Sequence, residues 1–107
     1  MKILKYEDMK GGWFVGNFEP TALKTDLFEV SYKNHPKGEN WDHHYHTVVK
    51  EVNLLTKGKM ILQGKELNEG DIFIIEPYEV ADPNFLEDCS IVCVKVPSAQ
   101  DKVVIKK

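Results

Sequence analysis

A chain of 107 residues has room for one domain around one core, expected here to run over residues 1–107. Apolar residues at 42% and charged residues at 29% give a globular balance that argues against disorder. The net charge of −3, with acids and bases mixed along the chain, argues against a nucleic-acid protein, which needs a clustered basic face. The lysines near the ends (Lys2, Lys5, Lys10, Lys106 and Lys107) are too sparse to change that and read as solvated termini.

In chain order, Met1 to Asp8 is charged too soon after Leu4 to be a signal peptide. No later stretch approaches the length of a membrane span, so a cytoplasmic protein with no membrane partner is expected. Trp13-Phe14-Val15 before Gly16 predicts a short strand, and Pro20 to Lys24 allows one helical turn. Phe28 to Lys33 alternates apolar and polar residues as a half-buried strand does. Val52 to Leu55 and Met60 to Leu62 predict two more strands, each beside a glycine. Ile72 to Ile75 and Ile91 to Val94 are continuous apolar runs rich in β-branched residues, which predicts strands buried on both faces. Residues from Pro97 onward form either a tail or a closing edge strand. Gly and Pro punctuate the chain at the spacing of an all-β sandwich or barrel. Cys89 and Cys93 fall on one strand face about 13 Å apart, too far for a disulfide, and read as buried small hydrophobes.

The chemistry concentrates in His43-His44-Tyr45-His46. Tyr45, Thr47, Val48 and Val49 favour a strand, where alternate residues share a face, so His44 and His46 point one way and His43 the other. Glu51 opens the next apolar segment and can face the same cavity after a turn near Lys50. Two imidazoles and a carboxylate form a set with open positions, suited to Fe, Mn, Ni or Zn as a divalent ion. Exposed loop histidines explain the cluster almost as well when it stands alone.

The flanking residues tip the balance. Gly38, His44, His46, Glu51 and Gly58 stand in the spacing G-x5-H-x-H-x4-E-x6-G, which resembles the first motif of the cupin superfamily. The segment 70–82 resembles the second motif, G-D-x4-P-P-G-x2-H, at Gly70, Asp71 and Pro77; Glu76 replaces its first proline and its turn glycine is missing. The resemblance, over 38–58 and 70–82, implies a cupin-type double-stranded β-helix, or jelly-roll barrel. It also implies a metal held by His44, His46 and Glu51. No histidine follows His46, so the fourth ligand has to differ; counting from Gly70 reaches Ala81 and counting from Pro77 reaches Asp82, the favoured candidate, with Glu79 as fallback.

Trp41, Tyr32 and Tyr78 are candidate cavity-lining aromatics, although core packing is their commoner use. Asn53 shares the Glu51 side of its strand, and Gln63 is a similar polar candidate. Glu76 and Glu79 are candidate acids or bases at the cavity mouth. The family resemblance implies a small-molecule ligand and a menu of isomerases, epimerases, dioxygenases and decarboxylases, within which a sugar or a keto or hydroxy acid substrate and isomerase-like chemistry are favoured. A ligand-binding sensor without turnover is the alternative. An open sheet edge predicts a homodimer.

Overall fold

The computed structural model describes residues 1–105; Lys106 and Lys107 lie outside them. A short 3₁₀ turn at Tyr6–Asp8 precedes ten strands. They are β1 (Trp13–Val15), β2 (Glu29–His35), β3 (His44–His46), β4 (Lys50–Lys57), β5 (Lys59–Leu62), β6 (Lys65–Asn68), β7 (Ile72–Ile75), β8 (Asn84–Phe85), β9 (Cys89–Val96) and β10 (Lys102–Val104). Five of them form one sheet in the order β1-β2-β9-β4-β7, three a second in the order β6-β5-β8, and β10 pairs with β3. Every pairing between these strands is antiparallel. Residues of all three sheets line one interior cavity, so the sheets close into a barrel.

Pro20 to Lys24 forms no helical turn; Leu23 bridges instead to Val15 beside β1. The residues after Pro97 turn back as β10, which pairs antiparallel with β3, Lys102 opposite His46 and Val104 opposite His44. The short strands β6 and β8 carry too little apolar pattern to stand out in the sequence.

Side-chain parity decides which residues reach the interior. Along β4, Glu51, Asn53 and Leu55 are buried while Val52 and Leu54 face outward. Along β2 it is Glu29, Ser31 and His35 that are buried. The polar phase of both strands therefore looks inward. The expectation that Ile72 to Ile75 is covered on both faces fails: Ile72 and Ile74 are 68% and 54% exposed, and only Ile75 is buried. A barrel strand has its second face on the outside, and nothing among the described residues covers β7 there.

The apolar core comprises Leu55, Met60, Leu62, Ile75, Ala81, Phe85, Cys89 and Ile91. The turn from β4 to β5 passes through Gly58 at φ +95°, where a Cβ would fall 2.4 Å from the Asp88 carbonyl oxygen. Only glycine fits a left-handed backbone pressed that closely against a neighbouring chain segment. Cys89 and Cys93 are buried and unpaired, as expected.

Candidate metal centre

His44 and His46 sit on β3, a three-residue strand whose middle residue turns the other way. Glu51 opens the inward phase of β4. One donor atom from each of the three lies within 4.8 Å of the others. A single ion with bonds near about 2.1 Å can span such a set after small side-chain rotations.

The protein already orients the two imidazoles. His44 Nδ1 donates to the Asp42 carbonyl oxygen at 3.0 Å. His46 Nδ1 donates to Asp101 Oδ1 at 2.6 Å. Both hydrogen bonds leave Nε2 as the free nitrogen, and His46 Nε2 lies 3.3 Å from Glu51 Oε2. Imidazoles anchored in this way through the far nitrogen are the usual support of a metal site.

Asp101 lies just before β10, far from the histidines in sequence. Its Oδ2 accepts the backbone N–H groups of Thr47 (3.1 Å), Val48 (2.7 Å) and Val49 (2.9 Å). Burial works against its charge, but the Val48 and Val49 amides and His46 outweigh it and hold the carboxyl at about 2. No local spacing could have pointed to it.

The electrostatics favour ligation at His44 and Glu51 and oppose it at His46. Burial lowers the His44 pKa, favouring the neutral imidazole that a metal needs. The hydrogen bond with Glu51 raises that of His46 against the effect of burial, with Asp101 adding to the rise. Burial alone would raise the Glu51 pKa, yet His46, Lys95 and the Cys93 thiol bring it down. That thiol donates to Glu51 Oε1 at 3.3 Å, and its own pKa is pushed strongly upward by burial and by Glu51. Cys93 is an un-ionised support of the carboxylate.

The triad opens into a cavity of about 300 Å³. Its apolar floor comes from core residues including Met60, Leu62, Phe85 and Ile91. Trp41 and Asn53 line it, as their sequence context predicts. So do Ser31, Lys33, His35, Lys95 and Lys102, which no sequence pattern singles out. His35 is buried against Phe85, the rings stacked with centroids 4.5 Å apart. Its Nδ1 lies 2.5 Å from Glu39 Oε2, an oxygen that also accepts from Trp41 Nε1 at 2.6 Å.

Several expected site residues lie elsewhere. The Asp82 carboxylate accepts the Gln63 backbone N–H at 2.7 Å, outside the triad. Ala81, the position reached by counting from Gly70, bridges to His44 and lines the cavity. Gln63 is exposed at a turn and its amide caps the Val80 carbonyl. Tyr32 has the outward parity of β2 and meets Tyr6 edge-on. Tyr78 is 67% exposed and stacks on Tyr45. Glu76 pairs with Lys50, and the Glu79 carboxylate accepts the Glu76 N–H; neither lines the cavity. Tyr78 stands where the second motif has its glycine and takes φ +67°, the left-handed conformation that a glycine adopts freely. That turn brings Ala81 opposite His44.

No protein-family model matches the sequence, and no curated protein matches it. Solved structures do. A conserved protein from Klebsiella pneumoniae with a double-stranded β-helix domain superposes with TM-score 0.72 at 19% identity, over 99% of this chain and 93% of that one. KdgF from Halomonas sp. gives TM-score 0.62 at 19% identity, over 70% and 74%. A cupin protein from Bacteroides fragilis gives 0.57 at 21%, over 78% and 75%. Among the described residues no helix is long and apolar enough to cross a membrane. The all-β barrel, its strand order and these likenesses agree: the chain has the double-stranded β-helix fold of the cupins.

Proposed function

We propose that the protein binds one divalent transition metal through His44, His46 and Glu51 and acts with it on a small polar molecule held in the cavity. The supporting observation is the convergence of three donors whose imidazoles are both anchored by Nδ1, leaving Nε2 toward a common point. Two histidines and a carboxylate suit Fe, Mn, Ni or Zn. When bound, the ion supplies Lewis-acid polarisation of a substrate oxygen. The chain supplies the rest. His35, with Nδ1 committed to Glu39, offers Nε2 as a proton acceptor on the cavity wall. It takes the acid–base role in place of Glu76 and Glu79. Proton transfer next to a polarised carbonyl is the step of an isomerase- or epimerase-like reaction on a keto or hydroxy acid or a sugar. Dioxygenase chemistry is the alternative use of the same donor set.

A second reading, a sensor that binds without turnover, draws on Ala81, which brings no ligand atom where the second motif has a histidine. Elemental analysis of protein purified without added metal tests the metal: about one equivalent is expected, and no uptake even after added metal refutes it. His44→Ala and Glu51→Ala then separate the readings. An enzyme loses turnover and stays folded; a sensor with a structural ion loses thermal stability.

The proposal extends to a homodimer. β7 is an edge of the five-stranded sheet, and Ile72 and Ile74 on it face outward beside Leu54 and Val52 of β4. A contiguous apolar patch on an edge is what a second copy covers. Ile74→Glu is expected to give a monomer in light scattering; a wild-type protein that is monomeric at working concentration removes the idea.

A further inference from the structure

The inner face of the large sheet is organised in rows. Ser31, Cys93 and Asn53 stand side by side across β2, β9 and β4. The neighbouring row is Glu29, Lys95 and Glu51. Lys33 follows Ser31 at the next inward position of β2.

Three ammonium groups gather over two indoles that wall the cavity. Lys33 Nζ lies 4.8 Å from the Trp13 ring centroid and 5.4 Å from that of Trp41. Lys95 Nζ lies 4.7 Å from Trp13, and Lys102 Nζ 5.1 Å from Trp41. Among the described residues the only ion pair of the three is Lys95 with Glu29, at 3.6 Å. Among the described residues Glu51 is the only acid on the cavity lining, and His46 and Cys93 already engage it. The lining therefore carries more positive than negative charge before any metal adds to it. Burial, and then repulsion from Lys95, lower the Lys33 pKa.

A second observation points the same way. Among the described residues Ser31 Oγ and Asn53 Nδ2 have no hydrogen-bond partner. Ser31 is 1% and Asn53 5% exposed, and both line this cavity. Buried donors left unpaired are costly, and a ligand is what satisfies them. At about 30 Å³ for each water-sized volume, the cavity holds roughly ten such volumes, enough for a small organic acid.

We infer that the cavity selects a small carboxylate, held by Lys33, Lys95 and Lys102 with Ser31 Oγ and Asn53 Nδ2 as further donors. The inference rests on the metal-site reading only in placing the ligand beside the triad, and it narrows the substrate class to acids. A neutral sugar leaves the lysine charges unanswered.

The test is calorimetric titration of the protein, as purified and after chelator treatment, with succinate and pyruvate. Their uncharged counterparts succinamide and pyruvamide, and inorganic phosphate, are titrated alongside. At least one carboxylate is expected to bind more tightly than its amide, and more weakly as salt rises. Lys33→Met is expected to weaken it about thirtyfold or more, and Lys33→Arg to retain most of it. Lys33→Met is also expected to keep its metal content by elemental analysis. Carboxylate and amide binding alike, or no binding of either acid, overturns the inference, as does an unaffected Lys33→Met. Tighter binding of phosphate overturns the assignment to carboxylate. Metal without acid selectivity refutes this inference and leaves the metal reading standing; acid selectivity without metal does the reverse.

Discussion

Replacing Asp101 by asparagine tests whether the C-terminal strand tunes the metal site. The carboxylate accepts four hydrogen bonds, one from His46 Nδ1 at 2.6 Å and three from the backbone of Thr47, Val48 and Val49. Asparagine keeps a single acceptor oxygen. If that oxygen stays with the amides, the new NH₂ group faces His46 Nδ1, which must then accept. The His46 proton moves to Nε2, the nitrogen beside Glu51, and the lone pair for the metal is lost. Outer-shell changes of this kind cost about 10–100-fold in metal affinity. Loss of a charge-assisted hydrogen bond costs about 1.5–3 kcal/mol of stability. The titration of Asp101 gives a similar figure. Its carboxyl is held at about 2 against an ordinary 3.8, a gap worth about 2 kcal/mol. Because the folded value is depressed, this stability is present above the ordinary value and disappears as pH falls through the folded one. Urea denaturation of metal-free wild type and Asp101→Asn should therefore differ by about 2 kcal/mol at pH 6 and converge toward pH 2. A competitive metal titration at pH 7 gives the affinity. A folded Asp101→Asn protein with unchanged metal affinity, or a stability gap that does not narrow on acidification, refutes the reasoning.

Three further outcomes are expected. Metal affinity is expected to fall as pH drops, because Glu51 and Asp101 stabilise a proton on His46 that the metal has to displace; competitive titration between pH 8 and 5.5 reads this, and a flat profile contradicts it. In the metal-free protein the sign reverses: the raised His46 contributes stability that is full below its unfolded value of 6.5 and fades as pH rises through the folded one. Gly58→Ala is expected to destabilise the fold by about 1–3 kcal/mol, since the new Cβ would fall 2.4 Å from the Asp88 carbonyl at φ +95°. A denaturation midpoint equal to wild type counts against that tight turn.

The candidate triad of His44, His46 and Glu51 could be read from the sequence because it is local. Strand parity pairs His44 with His46, one turn delivers Glu51, and residues this close need no knowledge of the tertiary fold. The fourth position was harder. It depends on the turn at Tyr78, whose left-handed backbone keeps the spacing of a glycine without being one. Counting from Gly70 reaches Ala81, which lines the cavity, and counting from Pro77 reaches Asp82, which does not. Tyr32 failed through parity. It was a candidate as an aromatic, whereas Glu29, Ser31 and His35 are the buried residues of β2. Asp101, Lys95, Lys102 and His35 converge on the site from segments far apart in the chain, and only strand order brings them together.

The two surprises of parity have one origin. In β2 and β4 the polar residues turn inward, and in β4 and β7 apolar residues are left on the outer face. A barrel stabilised by its own core alone would be expected to have the opposite phase, since burying Ser31, Asn53 and Glu51 costs solvation and exposing Ile72 and Ile74 forgoes hydrophobic gain. Reversing the phase stabilises such a barrel only if something else fills each side. On the proposals above, a cation for the triad and an anion for the lysines would satisfy the polar groups inside, and a second copy would cover the isoleucines outside. The alternation of β4 presents the cavity face and the outer face from adjacent residues: Glu51 and Asn53 to the cavity, Val52 and Leu54 to the outer surface. A substitution that moves its register by one position should damage both together.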